Sequence, residues 1–512
     1  MIAGFMGDTL KGAGPSVARG RDATMLREMM DMAAARITKG DLRTAPEAEL
    51  RLRLTIGDAY RELAAFEPAN AMLEPAQVLA RSLHSGDHPD IASALFSLAY
   101  LRLDRGLLSE AEPLFRASLA MRQRLFKGDH PEVGACLDLL GRTVLARGDV
   151  KAVEPLFREA LAMRQRLFKG DHPDLASALT SLGVLLQTKG DLAGAEGLQR
   201  EALAMNRRLH PGDHPYVAIA FGTLGQVLAL RGDLAGAEPL FREGLAMQRQ
   251  LHPTDHQDVA SALSDYAWVL DAKGDLAAAE PVFREAVAIN KRLFPGDHEY
   301  TSTTLYNLAG VLRRKGDLAG AESLQRETLA MRRRLYPGDH RDIALSLNDL
   351  GLVLQARGDM AGAEGHYREC IAVLRRLFPA DHPEVANTLL NLGRFLIVKG
   401  DPAGAEPVLR EGAAMTVRVL GKDHGRTGYG WVSLGRALAQ QQRFAEAEPL
   451  LLEGARVLAS GKGMAAETYP RTLEILVGFF DSWETAEPGR GHGAKAAPWR
   501  IRLEQLKGIA AH

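Results

Sequence analysis

One short motif sets the spacing of this chain. Asp-His, usually preceded by Gly, recurs so that successive histidines lie 42 residues apart through most of the 512 residues. These histidines are His88, His130, His172, His214, His256, His298, His340, His382 and His424. A period of this length, held without slippage, indicates one structural unit that is repeated and stacked against its neighbours.

Each unit contains two helix-like stretches separated by turn signals. The first stretch opens at Asp213-His214-Pro215, where Asp is a favoured N-cap and Pro fits the first helical turn. Mid-unit, Gly232-Asp233 supplies a glycine that can end one helix in the left-handed conformation and an Asp that can cap the next. The unit is therefore predicted to be a helical hairpin.

The apolar residues recur at helical spacing and carry a resemblance. They follow the order F-x2-L-G-x2-L and then A-x3-F, at Phe221, Leu224, Gly225, Leu228, Ala237 and Phe241. This order resembles the tetratricopeptide signature, and the 42-residue period with its Asp-His-Pro-like opening resembles the kinesin light chain-like branch. The resemblance covers about residues 46–459. It implies an all-α fold, an α-solenoid of stacked helix-turn-helix repeats that forms a right-handed superhelix.

The register of the repeats divides the chain. We expect an N-terminal segment with one capping helix at 1–45, a degenerate repeat at 46–85, nine 42-residue repeats at 86–459, and C-terminal capping helices with a tail at 460–512. The stretches LKGAGPSVARGRDATMLREMMD and IGDAYRELAAFEPANAML also resemble a segment that follows the kinase domain of some bacterial serine/threonine kinases. The kinase domain itself is absent from this sequence.

Charge and composition narrow the classes of partner. Lys and Arg total 63 against 64 for Asp and Glu, so no overall field attracts nucleic acid or an anionic membrane. The N-terminus lacks the apolar core of a signal peptide, and no stretch approaches the ~20 apolar residues of a membrane span. We therefore expect a cytoplasmic protein. Cys136 and Cys370 fall where other repeats carry small residues, which predicts buried thiols.

Two patterns suggest chemistry and are better explained by the repeat. Each repeat supplies one periodic His beside an acid, whereas the ligands of one zinc ion must converge within ~2.1 Å of it. His340-Arg341-Asp342 with Asn348 resembles a kinase catalytic loop, but the Asn lies one residue too far along and the other kinase motifs are missing. We predict no catalytic, cofactor or metal site, and no enzymatic activity.

The resemblance implies where a partner binds. In tetratricopeptide proteins the first helices line a concave groove that takes a peptide or partner protein, so positions that vary on those helices are binding candidates. The alternative for any one of them is an ordinary solvated residue. The candidates are Tyr100, Arg142, Trp268, Tyr306, Asn307, Arg313, Asn348, Asn391, Arg394 and Arg436.

The candidates concentrate toward the C-terminal half. A Leu-Asn-Asn-Leu run is common in the kinesin light chain-like family, and here Asn survives at that place only in the later repeats, as at Asn307, Asn348 and Asn391. With the neighbouring arginines, this predicts a groove between about residues 300 and 440 that favours an acidic peptide. Two alternatives stay open: a regulatory module of a bacterial serine/threonine kinase system, and a self-assembling structural solenoid.

Overall fold

The described part of the chain is helical. The computed structural model describes residues 24–63, 65–460 and 468–509, which form 23 α-helices and one 3-10 helix without any strand. The all-α repeat fold predicted from the sequence is confirmed. Most of the stretch that begins at Leu10 and resembles a kinase-linked segment lies outside the described residues, so that resemblance stays a prediction.

The helices belong to two compact units. One unit extends to Leu293 and the other begins at Phe294. The first unit contains α1 (Thr24–Lys39), α2 (Pro46–Glu62), α3 (Phe66–Leu83), α4 (Pro89–Asp104), α5 (Leu108–Leu125), α6 (Pro131–Ala146), α7 (Val150–Leu167), α8 (Pro173–Thr188), α9 (Leu192–Leu209), α10 (Pro215–Leu230), α11 (Leu234–Leu251), α12 (Gln257–Ala272) and α13 (Leu276–Leu293).

The second unit has the same organisation and ends with extra helices. It contains α14 (Glu299–Lys315), α15 (Leu318–Leu335), α16 (Arg341–Arg357), α17 (Met360–Leu377), α18 (Pro383–Lys399), α19 (Pro402–Leu420), α20 (Gly425–Gln440), α21 (Phe444–Leu458), α22 (Thr468–Ala486), the 3-10 turn Gly493–Ala496 and α23 (Ala497–Ile509). From α2 to α21 the helices form consecutive pairs. Within each unit, the second helix of one pair packs against the first helix of the next.

A small residue lets the two helices of a pair approach closely. Gly141 of α6 faces the ring of Phe157 in α7, and a Cβ on this glycine would lie 2.7 Å from Phe157 Cδ1. The equivalent ring of Phe241 is 2 % exposed and faces Gly225 in the same way. The small and large slots of the predicted signature are therefore complementary surfaces in one core.

The register also places both cysteines correctly. Cys136 and Cys370 are buried, as predicted. Burial raises the pKa of each thiol, most strongly for Cys370, where it reaches about 12. Both thiols therefore remain protonated at neutral pH.

The turn inside each pair follows the prediction. Gly316 and Gly358 end α14 and α16 with φ values of 89° and 87°, in the left-handed region that glycine adopts without steric cost. The next residue, Asp317 or Asp359, accepts a hydrogen bond from the backbone N–H three residues later. These aspartates cap the second helices.

The predicted cap of the first helix is wrong. The N-cap is the histidine of the repeated motif, not the Asp before it, as at His214 rather than Asp213. In every repeat the histidine Nδ1 accepts the backbone N–H of the residue two positions later, at 3.1–3.3 Å. Because Nδ1 must be an acceptor, the neutral imidazole is the form that caps the helix.

The capping ring is also held from its face. In eight repeats an aromatic residue four positions earlier stacks on it, with ring centroids 3.4–3.8 Å apart; Leu420 stands at that position before His424. In eight repeats the Asp of the motif instead binds an arginine near the end of the second helix of its own repeat, whereas the arginine position that corresponds to Asp213 holds Gln250. For example, Arg208 Nε and Nη2 donate to Asp171 at 2.6 and 2.8 Å. In most repeats the motif thus closes the hairpin, and within each unit it packs against the end of the preceding helix.

The arginine run at the end of α15 links repeats. The sequence suggests that these cations complement the helix dipole, but each has a separate partner. Arg334 pairs with Asp297, and Arg333 pairs with Glu369 of the next repeat. Arg332 is buried and donates to Ser346 Oγ at 2.8 Å.

No helix in the described ranges is both long and apolar enough to cross a membrane.

We predict that Gly141→Ala destabilises the first unit. The added methyl group collides with the buried Phe157 ring, and overpacking of this kind costs about 1–3 kcal/mol. Gly197→Ala is the matched control, because this exposed glycine within α9 has no atom within 4 Å of its added Cβ. The control should be stabilised by about 0.5–1 kcal/mol. Urea denaturation of both variants tests the prediction, and equal midpoints would contradict it.

We also predict that mild acid destabilises the second unit. Burial lowers the pKa of His298, His340, His382 and His424. The folded state then binds fewer protons than the unfolded state, whose histidines titrate near ~6.5. The contribution of the neutral histidines to folding stability is complete above the pKa of the unfolded state. It is lost as the pH falls through the lowered pKa values of the folded state.

The measurement is thermal unfolding at about pH 7.5 and about pH 5.0. In the double variant His340→Asn and His382→Asn, the side-chain oxygens can still cap but do not titrate in this range. The difference between the two pH values should therefore be smaller in the variant than in the parent chain. An unchanged difference would show that the capping histidines are not responsible.

Candidate functional site

The candidate residues share one face of the first helices. Counted from the capping histidine of their repeat, they stand at positions 8, 9, 12 and 15, a spacing that forms a single stripe on an α-helix. Position 12 is occupied by Tyr100, Arg142, Trp268, Arg394 and Arg436. Positions 8 and 9 carry Tyr306, Asn307, Asn348 and Asn391, and position 15 carries Arg313.

In the first unit three candidates lie in different surroundings. Tyr100 is half-buried, with the Arg61 guanidinium 3.8 Å above its ring. Arg142 is exposed and lines a cavity of about 510 Å³. Trp268 is 37 % exposed, and its ring contacts Phe241 edge-on at a centroid distance of 6.4 Å. The structure does not bring these three side chains into one cluster.

In the second unit two of the predicted asparagines meet. Asn391 Nδ2 on α18 donates to Asn348 Oδ1 on α16 at 3.0 Å, and Asn348 Nδ2 donates to Asp349 Oδ1 at 3.0 Å. The amides are thus oriented by each other, while Asn391 Oδ1 and the second N–H of each amide group are available. Such groups match the N–H and C=O groups of an extended peptide.

Tyr306 and Arg313 lie beside this chain of amides. Burial raises the pKa of Tyr306, and the charge of Asp349 and a hydrogen bond to it raise it further. The positive charges of Arg332 and Arg313 oppose that rise. Asn307, the next residue on α14, is half-buried. Asp349 and Arg332 are members of this site that the sequence analysis missed.

Two further predicted residues form a cationic patch. The Arg394 guanidinium carbon lies 4.9 Å from the ring centroid of Tyr429. Burial lowers the pKa of Arg436, and the positive charge of Arg394 lowers it further. No carboxylate in the described part of the chain forms an ion pair with Arg394 or Arg436. Two partly buried like charges therefore lack a counter-ion here.

Tyr429 connects the two arginines and was not predicted. Burial raises the pKa of this tyrosine, and the charges of Arg394, Arg436 and Arg471 oppose the rise. Tyr429 lies seven residues before Arg436 on α20, so that the two share one helix face. Asn348, Asn391, Arg394, Tyr429 and Arg436 are called here the polar stripe of the second unit.

An apolar cavity adjoins the polar stripe. It has a volume of about 380 Å³ and lies between α20, α21 and α22. Arg436 is on its wall together with Phe444, Ile475 and Phe479. A charged group and a space for an apolar side chain are therefore adjacent.

Two histidine clusters differ from the expectation that each repeat supplies only one His beside an acid. In two repeats the ring that stacks on the capping His is itself a histidine, His84 or His252, and an acid lies beside the pair. The rings of His252 and His256 are parallel within 2°, with centroids 3.6 Å apart. An ion bound by an imidazole nitrogen lies near that ring's plane at ~2.1 Å, so stacked rings cannot both bind it in good geometry. In addition, His256 Nδ1 already accepts the N–H of Asp258.

Comparison with known families matches most of the repeat region. The family described as MalT-like TPR region matches residues 123–292. Families described as tetratricopeptide repeat match residues 91–132, 300–376, 385–425 and 428–453. A search of curated proteins gives no match.

Several solved structures are similar in fold. A putative kinesin light chain from Podosopora anserina is 19 % identical, with a TM-score of 0.37 over 40 % of this chain and 98 % of that one. BtubC from P. vanneervenii is 21 % identical, with a TM-score of 0.41 over 45 % of this chain and 92 % of that one. The apo form of RapI is 11 % identical, with a TM-score of 0.50 over 73 % of this chain and all of that one.

The family assignment rests on the matched family models and on the described helix pairs. The matched repeat families cover the helix pairs from α4 to α21, and the described fold consists of such pairs. Repeats of this kind typically mediate protein–protein interactions and are generally non-catalytic. The chain belongs to the tetratricopeptide repeat proteins.

Proposed function

We propose that this chain is a non-enzymatic scaffold that binds an extended, carboxylate-bearing peptide of a partner protein along the polar stripe of the second unit. The observation that carries the proposal is the pair Arg394 and Arg436. These guanidiniums lie on neighbouring first helices, and burial and the charge of Arg394 already lower the pKa of Arg436. A peptide carboxylate would relieve the repulsion and form charge-assisted hydrogen bonds.

The arginines differ from the other cations of the same unit. Arg333, Arg375 and Arg376 lie near the ends of second helices and pair with Glu369, Glu411 and Asp339. Their charges are compensated inside the protein, so they have little to offer a ligand. The uncompensated charge is on the first helices, the surface that the sequence predicts to bind.

The amides and the apolar cavity indicate where the peptide main chain and an apolar side chain would lie. Asn391 and Asn348 present free hydrogen-bonding groups next to Arg394, which suits a main chain laid across α16 and α18. The cavity of about 380 Å³ beside Arg436 is large enough for an apolar side chain. The preferred peptide therefore carries an acidic group and an apolar residue close together.

This role accounts for more of the structure than the alternatives. A regulatory module of a bacterial serine/threonine kinase system remains compatible with it, because such a module also needs a surface for a partner. A self-assembling solenoid gives no reason for uncompensated arginines on the first helices. We therefore prefer peptide binding.

We predict that Arg394→Ala with Arg436→Ala weakens partner binding about tenfold or more, which corresponds to about 1.4 kcal/mol. Both changes remove the charges that meet the carboxylate and leave the core intact. The measurement is affinity capture from cells of the source organism with quantitative mass spectrometry. Synthetic peptides from the recovered partner are then titrated by fluorescence anisotropy. Binding should weaken as salt rises, since the charges are partly exposed.

Arg368→Ala is the matched control. It also removes one arginine from the second unit, but that arginine is exposed and pairs with Glu364 on the same helix. The control should recover the same partners as the parent chain. If Asn391→Ala with Arg394→Ala recovered every partner at undiminished yield, the assigned site would be wrong.

A further inference from the structure

A second cavity lies in the first unit and has the opposite electrostatic character. It has a volume of about 170 Å³ between α10, α11 and α12. Gln226, Gln248, Asp258 and Asp265 supply its principal polar groups, and we call it the acidic cavity. Among the described residues, no lysine, arginine or histidine lines it. The volume is comparable to the ~150 Å³ that holds one benzene molecule in an engineered protein cavity.

The acidic cavity has more hydrogen-bond acceptors than its own hydrogen-bond donors satisfy. Gln226 Nε2 donates to Asp265 Oδ1 at a long 3.4 Å. Gln248 is only 5 % exposed, and its Oε1 is buried without a hydrogen-bond partner. A buried acceptor left unpaired is costly, so a ligand with several N–H donors would be stabilised here.

A glycine opens the space above Asp265. Gly222 stands at position 8 of its repeat, where Phe96 and Tyr306 occupy the same register in other repeats. A Cβ at Gly222 would lie 3.8 Å from Asp265 Oδ2, with no other atom nearer than 4 Å. The carboxylate therefore faces open volume rather than a side chain.

The remaining walls favour a cation with an apolar stem. Phe241 and Leu245 line the cavity beside the carboxylates. Asp258 and Asp265 are seven residues apart on α12, which places them on one helix face about 10 Å apart at ~1.5 Å per residue. Lysine and arginine side chains combine an alkyl stem with a cationic head, and a guanidinium has five donors and no acceptor.

We propose that the acidic cavity binds a guanidinium or primary ammonium group, with the cation against Asp265 and Gln248. This site is separate from the polar stripe of the second unit, and it takes a group of opposite charge. Burial raises the pKa of Asp265 to about 6, while the hydrogen bond from Gln226 opposes the rise. A bound cation stabilises the carboxylate, so binding strengthens as pH rises through that value. The titratable groups on the cavity wall are Asp258 and Asp265, and His252 Nε2 and His256 Nδ1 each lie 3.6 Å from Asp258 Oδ2.

The direct test uses small probes and the full chain. Butylguanidinium is titrated at millimolar concentration, with butylurea as the uncharged probe of similar shape. The readout is the indole N–H resonance of Trp268, which lies three residues after Asp265 and contacts Phe241. Trp268→Phe identifies that resonance. Saturable shifts with butylguanidinium, and binding of butylurea at least tenfold weaker, are expected.

Two variants test the assigned residues. Asp265→Asn keeps the shape and removes the charge, and Gly222→Val fills the volume and keeps the charge. Each should weaken butylguanidinium binding at least tenfold. Asp213→Asn is the control, because it removes one exposed carboxylate of the first unit that does not line the cavity. It should bind the probe like the parent chain.

A titration with a short peptide identifies the source of the cation. Tighter binding of a short arginine peptide than of butylguanidinium, lost when citrulline replaces arginine, assigns the cavity to a side chain of a protein partner. Equal affinities assign it to a free small cation. Three results would overturn the proposal. The first is that butylguanidinium does not shift the Trp268 resonance, and the second is that butylurea binds as tightly as butylguanidinium. The third is that neither Asp265→Asn nor Gly222→Val weakens butylguanidinium binding. Arg394→Ala with Arg436→Ala should leave this binding unchanged, so failure here is distinguishable from failure of the peptide site.

Discussion

The neutral imidazole at each repeat junction is the interaction on which the repeat depends. Its Nδ1 caps a first helix, and in eight repeats its face stacks on an aromatic ring at the end of the preceding second helix, as His340 does on Tyr336. In eight repeats the Asp before it holds the far end of the same hairpin through an arginine, as in the pair Asp339 and Arg376. In most repeats one short motif thus starts the first helix, closes the hairpin and packs against the end of the preceding helix. Its protonation would remove the acceptor, which couples the fold to mild acid.

The junctions use similar residue types in most repeats, whereas the first-helix surface varies. The variation is electrostatic. Arg394 and Arg436 concentrate uncompensated positive charge in the second unit, while Asp258 and Asp265 line a cavity in the first unit that lacks a basic residue among those described. Repetition of the scaffold therefore permits two chemically distinct surfaces, each of which belongs to one unit and which we propose as binding sites.

The sequence predicts a residue's role accurately where the repeat constrains that residue. The glycine turns, the Asp caps of second helices and the buried cysteines follow from register alone. It was wrong about the first-helix cap, because Asp is the statistically favoured cap and only the structure shows that the histidine ring reaches the backbone N–H. It also missed Asp265, although this residue shares position 9 with Asn307 and Asn391. The feature that gives Asp265 its importance is the open space above Gly222, which no sequence pattern displays.

The sequence by itself determined the all-α repeat fold, the 42-residue register and the positions that face a common surface, since periodicity and turn chemistry are local properties of the chain. The tertiary structure decided which charges are compensated. Arg333 and Arg394 are indistinguishable by residue type, yet one meets Glu369 and the other meets a tyrosine ring. Such pairing depends on which side chains two neighbouring repeats bring within reach, and that follows only from packing.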